Sequence, residues 1–222
     1  MPKEMPIDML NNSTREVVFR RKNKELFKKL AQESRFDEKE VEALGLIHRK
    51  IEKVRGPLNR TVFRDIFHSG LDYTENIRHL LVDRVFSQFD KRNALQISPE
   101  QWITSLSTII RDPVQVQTEF AYKIYDLMKT NKLTKEQIFP MLRGCFIKVQ
   151  PEEDPDETVK DMIELLVKAI DIDRDGDVSE EEFRKAVLEK NSLFLECMGP
   201  VFPSREAKHA FLTTFTNRVA RF

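Results

Sequence analysis

One short segment constrains this chain more than any other: Asp171-Ile-Asp-Arg-Asp-Gly-Asp-Val-Ser-Glu-Glu-Glu182. Side chains bearing oxygen stand at its first, third, fifth, ninth and twelfth positions, with glycine at the sixth. Calcium is a hard cation that takes about six to eight oxygens in flexible geometry, and this spacing can supply them. Asp171, Asp173 and Asp175 are the candidate side-chain ligands. Asp177 offers its backbone carbonyl, Ser179 acts directly or through water, and Glu182 closes the shell with two oxygens. Gly176 permits the sharp turn at the sixth position, where a Cβ would be costly. Ile163, Leu166, Val167 and Ile170 precede the segment at helical spacing, and Phe183, Ala186 and Val187 follow it. A solvated acidic turn has no need of two matching amphipathic flanks, so the segment reads as a calcium loop between two helices.

Helix, calcium loop and helix make an EF-hand, and the same frame recurs upstream. Val82, Val85, Phe86 and Phe89 precede a loop at 90–101, and Trp102 and Leu106 follow it. Ala121, Tyr122 and Tyr125 precede a loop at 126–137, and Ile138, Met141 and Leu142 follow it. Leu46 and Ile47 precede a loop at 51–62, and Phe63, Ile66 and Phe67 follow it. Each loop carries an aliphatic residue at its eighth position: Leu58, Ile97, Leu133 and Val178. In paired hands that residue makes a short β contact, so Leu133 is expected opposite Val178. The expected fold is all-α: two lobes of paired EF-hands with extra N- and C-terminal helices. A basic N-terminal arm occupies 1–35, the first pair 36–112, the second pair 113–202 and a terminal helix 203–222.

Three of the loops lack ligands. In 90–101 the needed positions hold Arg92, Ala94, Leu95 and Gln101; in 126–137 they hold Met128, Thr130, Asn131 and Gln137. In 51–62 they hold Ile51, Lys53, Arg55 and Val62. These hands read as scaffolding. The polar run 150–156 separates the third exiting helix from the fourth entering helix. Gly199-Pro200 ends a helix. A last helix is expected near 204–220, with Ser204 as N-cap and Arg218 and Arg221 in its final turn. Residues 14–31 read as one basic amphipathic helix carrying Phe19, Leu26, Phe27 and Leu30 on one side.

Composition excludes several classes. The six glycines are too few for a turn-rich β architecture, and a net charge of zero argues against a nucleic-acid footprint. The charge is unevenly placed, however. Residues 15–29 carry seven Lys/Arg against two Glu, and 152–182 carry fourteen Asp/Glu against three Lys/Arg, as befits a cation site or a partner surface. Cys145 and Cys197 form no disulfide framework or zinc pattern, and the four histidines have no ligand spacing. Neither a secretory segment nor a membrane span is visible, and Pro2 stands where N-myristoylation needs glycine. A cytoplasmic, non-enzymatic protein that contacts neither membrane nor nucleic acid is expected, since no phosphate-cradling loop or nucleophile context is present.

Further residues carry a resemblance. Asp83-Arg84-Val85-Phe86, Phe89-Asp90-Lys91, Trp102-Ile103, Glu152 to Glu157, the loop 171–182 and the stretch 193–200 resemble the calaxin family of ciliary EF-hand proteins, relatives of the neuronal calcium sensors. The resemblance spans roughly 36–202. It implies a calcium-binding regulatory or docking subunit of the outer dynein arm machinery in the axoneme of cilia and flagella. It also implies a helical or coiled-coil docking-complex subunit as partner, with dynein or the doublet microtubule as further contacts. The calcium ligands carry over at Asp171, Asp173, Asp175, Asp177, Ser179 and Glu182. The family keeps acidic ligands at 90–101 and 126–137, and this chain does not. The competing reading is a calcineurin-B-like regulatory subunit of a cytosolic enzyme. A calcium buffer, the third alternative, would use more than one site.

Overall fold

The computed structural model describes residues 12–73, 79–126, 128–143 and 154–219. Four helix–loop–helix units follow one another. The first is α3 (Glu38–Arg55) with α4 (Arg60–Leu71), and the second α5 (His79–Phe89) with α6 (Pro99–Ile110). The third joins α7 (Val114–Tyr125) to α8 (Lys135–Leu142), and the fourth α9 (Pro155–Ile170) to α10 (Glu180–Lys185). Strands β1 (Lys132–Leu133) and β2 (Val178–Ser179) pair antiparallel, with Leu133 opposite Val178 and Lys132 opposite Ser179. In the first pair the corresponding link is thinner. Ile97 donates its N–H to the Leu58 carbonyl at 2.9 Å, and the buried His48 ring meets the Ile97 carbonyl at 2.9 Å through Nε2.

The same local code starts every exiting helix. Asn59, Ser98, Thr134 and Ser179, each at the ninth loop position, are the N-caps of α4, α6, α8 and α10. In the last three a Gln or Glu at the twelfth position closes a capping box, so two otherwise orphaned backbone N–H groups are satisfied. The sixth position has positive φ in all four frames: Gly56, Leu95, Asn131 and Gly176.

The apolar faces merge into one cluster that runs through both pairs. Phe63 stacks on Phe67 with Phe86 and Phe89 edge-on, while Tyr122 and Tyr125 surround Phe183. Rings of this size dominate core energetics because each removes a large apolar area from water.

The structure departs from the sequence expectations in several places. The frame 51–62 is not a loop throughout: α3 continues to Arg55, the fifth position, and the connection is confined to 56–59. Ile51, Lys53 and Arg55 are good helix residues with no ligand role to hold them out of the helix. The basic helix 14–31 is two helices, α1 (Ser13–Lys22) and α2 (Lys24–Glu33), broken at Asn23. Asn23 turns its amide back to donate to the Phe19 carbonyl at 2.8 Å, the local competition typical of Asn. Phe27 and Leu30 are buried, and a Cβ on Gly45 of α3 would lie 2.8 Å from the Phe27 ring, so this close approach needs glycine.

The chain after α10 passes through a π-turn at Ala186–Lys190 and a 3-10 turn at Ser192–Glu196; no α-helix leads to Gly199. The terminal helix α11 spans only Arg205–Thr213, capped by Ser204 as expected. Arg218 therefore lies beyond the helix. It bonds Asp37 at 3.0 Å and does not face the helix dipole. Arg221, Cys145, residues 1–11 of the arm and residues 150–153 of the polar break lie outside the described residues.

Candidate calcium loop

Helix α9 brings Ile163, Val167 and Ile170 into the core, and α10 does the same with Phe183, so both ends of the loop between them are anchored. The loop gathers its carboxylates although Asp173 and Asp175 are exposed. Oxygens of Asp171, Asp173 and Asp175 lie within 4.8 Å of one another. The backbone is shaped by those same side chains. Asp171 accepts from Arg174 N at 2.6 Å and from Gly176 N at 2.9 Å, Asp173 from Asp175 N at 3.1 Å, and Asp175 from Asp177 N at 2.9 Å. Gly176 has φ +91°, a conformation that an L side chain would strain.

The other expected residues take distinct places. Asp177 and Ser179 do not join the carboxylate cluster; the ligand expected of Asp177 is its carbonyl, and Ser179 caps α10. Glu182 is buried and folds back over the start of the loop. Its Oε1 accepts from Ile172 N at 2.7 Å and Asp173 N at 3.3 Å, and its Oε2 from Ser179 N at 2.9 Å and Ser179 Oγ at 2.6 Å. Burial pushes its carboxyl up, but the Ser179 hydroxyl and these amides outweigh burial and hold it below the ordinary glutamate value. A hard dication is well matched to this donor set of carboxylate, hydroxyl and carbonyl oxygens on a turn with a glycine at its sixth position.

The two neighbouring loops keep the shape without the ligands. Asp90 accepts from Ala94 N at 2.9 Å and Leu95 N at 2.7 Å; Asp126 accepts from Thr130 N at 3.1 Å and Asn131 N at 2.8 Å. Both aspartates are buried. Gln101 and Gln137 retain the capping-box bond to the ninth-position N–H, at 2.9 and 3.2 Å, but carry no charge. Asn93, Lys129 and Arg174, at the fourth position of their loops, share a left-handed φ. All three loops thus turn their first aspartate onto their own backbone, as Asp171 does; what 90–101 and 126–137 lack is carboxylates at the third, fifth and twelfth positions.

Similarity to known proteins follows the geometry. Residues 115–188 match the model of an EF-hand domain pair. Calaxin of Xenopus laevis is 35% identical over 182 residues, which is 79% of this chain and 86% of that one. The chain belongs to the calaxin family. Calaxin of Bos taurus is 35% identical over 154 residues, 69% of this chain and 71% of that one. Calcineurin-B of Kluyveromyces lactis is 29% identical over 159 residues, 71% of this chain and 85% of that one. As a calaxin-family EF-hand protein it is a calcium-binding regulatory protein.

Several site residues escape a reading of the sequence. Lys132 of the third loop reaches across the β1–β2 pair, and its Nζ lies 2.5 Å from Asp175 Oδ2. That hydrogen bond holds the Asp175 carboxyl below its ordinary value. A signal for it exists: a residue one before the eighth position of a paired loop must face the partner loop. A second polar knot lies far from the calcium loop. Arg111 grips Glu40 with two bonds of 2.8 Å, Thr216 Oγ1 donates to Glu40 at 2.6 Å, and Phe215 meets Phe36 edge-on. Only tertiary contact joins these residues, so no local pattern announces them.

Proposed function

We propose that the chain is a single-site calcium sensor, binding one ion through Asp171, Asp173, Asp175, Asp177, Ser179 and Glu182, and that it regulates a protein partner by docking and not by catalysis. The observation that carries this is the contrast among the loops: 171–182 gathers three carboxylates, whereas in 90–101 and 126–137 the first-position aspartate is the one carboxylate at a ligand position. Calorimetry should find one site with a dissociation constant of roughly 10⁻⁷–10⁻⁵ M. Two or more such sites would sink the reading.

Membership of the calaxin family supports the finer assignment. The partner is a long helical or coiled-coil subunit of the outer dynein arm docking complex, and the place is the axoneme of a cilium or flagellum. EF-hand surfaces accept amphipathic helices in apolar grooves, which suits such a partner. Immunofluorescence in ciliated cells should mark the axoneme, and salt extraction that strips outer arms should release the protein with them. Diffuse cytosol alone would refute the assignment. The likeness to calcineurin-B supports a second reading, the regulatory subunit of a cytosolic enzyme. Co-fractionation with a soluble catalytic subunit, and none with axonemes, would favour it.

A further inference from the structure

We infer that Lys132 is an internal counter-cation of the 171–182 loop, which lowers the loop's affinity for calcium and couples the ligand-poor third hand to the fourth. The inference rests on the single-site reading above and names what tunes that site.

The placement is dictated by the short sheet. Lys132 stands opposite Ser179 in the antiparallel register, so its side chain leaves β1 at the mouth of the neighbouring loop. Its ammonium meets Asp175 Oδ2 at 2.5 Å, while Asp175 Oδ1 is held by the Asp177 amide at 2.9 Å. Among the described residues this is the one ion pair made by the clustered Asp171, Asp173 and Asp175. Three carboxylates within 4.8 Å repel one another, and a cation at their edge relieves that repulsion. Lys132 gives the fourth loop part of what calcium would give it, from the loop that has lost its own calcium ligands.

Calcium taken up by Asp175 must work against this charge. Metal–oxygen distances of about 2.3–2.6 Å put the ion about 5 Å from an ammonium that stays on the same carboxylate. A unit charge facing a dication at that range in water-like dielectric changes an affinity by roughly tenfold. Both partners are partly exposed, with side chains 53% and 37% accessible, so solvent and salt reduce the effect to about three- to tenfold.

Calorimetric calcium titration of the full chain tests this at low and physiological salt, comparing the wild type with Lys132→Met, Lys132→Gln and Lys129→Met. Lys129 lies on the same loop and is the control for simple loss of positive charge. Both Lys132 variants should bind calcium about three- to tenfold more tightly, with the gain larger at low salt. Lys129→Met should gain less. Unchanged or weaker binding by the Lys132 variants overturns the inference, as does an equal gain in Lys129→Met. A wild type that binds no calcium would overturn the single-site reading itself. Unaltered circular dichroism, together with agreement between the Met and Gln variants, guards against misfolding.

Discussion

Glu182→Gln asks whether the fourth loop can be turned into a copy of its silent neighbours. Gln already occupies the twelfth position in 90–101 and 126–137, where it keeps the capping box. The fold should therefore survive. The two Glu182 oxygens accept from Ile172 N, Asp173 N, Ser179 N and Ser179 Oγ, and an amide offers one oxygen in their place. Gln101 shows the consequence, because its Nε2 is buried without a hydrogen-bond partner. Losing such bonds costs about 1–2 kcal/mol, which in a chain of this length lowers Tm by roughly 2–8 °C in chelator. Calcium suffers more. A unit negative charge at about 2.5 Å from a dication contributes about 3 kcal/mol even at the dielectric of water, so binding should weaken by roughly two orders of magnitude. Calorimetry gives the affinity, and thermal melting in chelator gives the fold. A variant that titrates like the wild type, or one unfolded in chelator, would refute the reasoning.

Other perturbations follow from the same contacts. Glu40 lies below its ordinary value of 4.5: burial pushes it up, but Arg111, the Thr216 hydroxyl and the Asp37 amide outweigh burial. A carboxylate depressed in the folded state stabilises fully above its unfolded value and loses that contribution as pH falls through its folded one. Wild type should therefore lose stability below about pH 4.5 along a slope that Glu40→Gln lacks; identical melting curves against pH would contradict this. Glu40→Ala leaves Arg111 largely buried without its carboxylate and should cost about 3–5 kcal/mol by denaturant unfolding. Phe215→Ala removes the ring on Phe36 and should speed hydrogen exchange in 214–219 while leaving calcium affinity unchanged. Hydrogen exchange with and without calcium should change within about 114–142 and 154–199 and leave 38–110 and 205–219 alone; large changes in the first pair would refute this division.

The fourth loop and the helical frame were legible because they depend on local spacing. Asp171, Asp173 and Asp175 come together as their spacing implies, and the flanking Ile163, Val167 and Phe183 are buried as their helical spacing implies. The pairing of Leu133 with Val178 was legible for the same reason, since the frame fixes the eighth position in both loops. What resisted reading depends on competition or on distance. Ile51 to Arg55 stay in a helix that stops at Gly56, its C-cap at φ +81°, with Pro57 next; the loop frame drawn over 51–62 hid that stop signal. Whether 14–31 is one helix turns on a single Asn23 side chain that bonds backward. The terminal segment posed the larger difficulty. Phe211 and Phe215 mark an apolar face, but nothing local says which pair of hands it packs on. The segment lies against α4 and Phe36 of the first hand, where Glu40, Arg111 and Arg218 supply a polar clasp.

That placement changes how calcium can act. A terminal segment seated on the second pair would be a direct target of any opening around 171–182. Seated on the first pair, it is held by contacts that share no residue with the calcium loop. The first pair has its own link through Leu58, Ile97 and His48. Two sets of contacts lead from the 171–182 hand to the third hand: the β1–β2 pair with its Lys132–Asp175 contact, and the core around Phe183, Tyr122 and Tyr125. Tyr122 extends the first set, since its hydroxyl donates to the Val178 carbonyl at 3.1 Å. Tyr125 extends the second, donating to the carbonyls of Leu195 at 3.1 Å and Gly199 at 2.7 Å. Both tyrosines lie on α7, the entering helix of the hand whose loop has Met128, Thr130 and Gln137 at ligand positions. The third hand is thus one element through which a change at 171–182 can pass, beside the direct bond from the Tyr73 hydroxyl to the Val201 carbonyl.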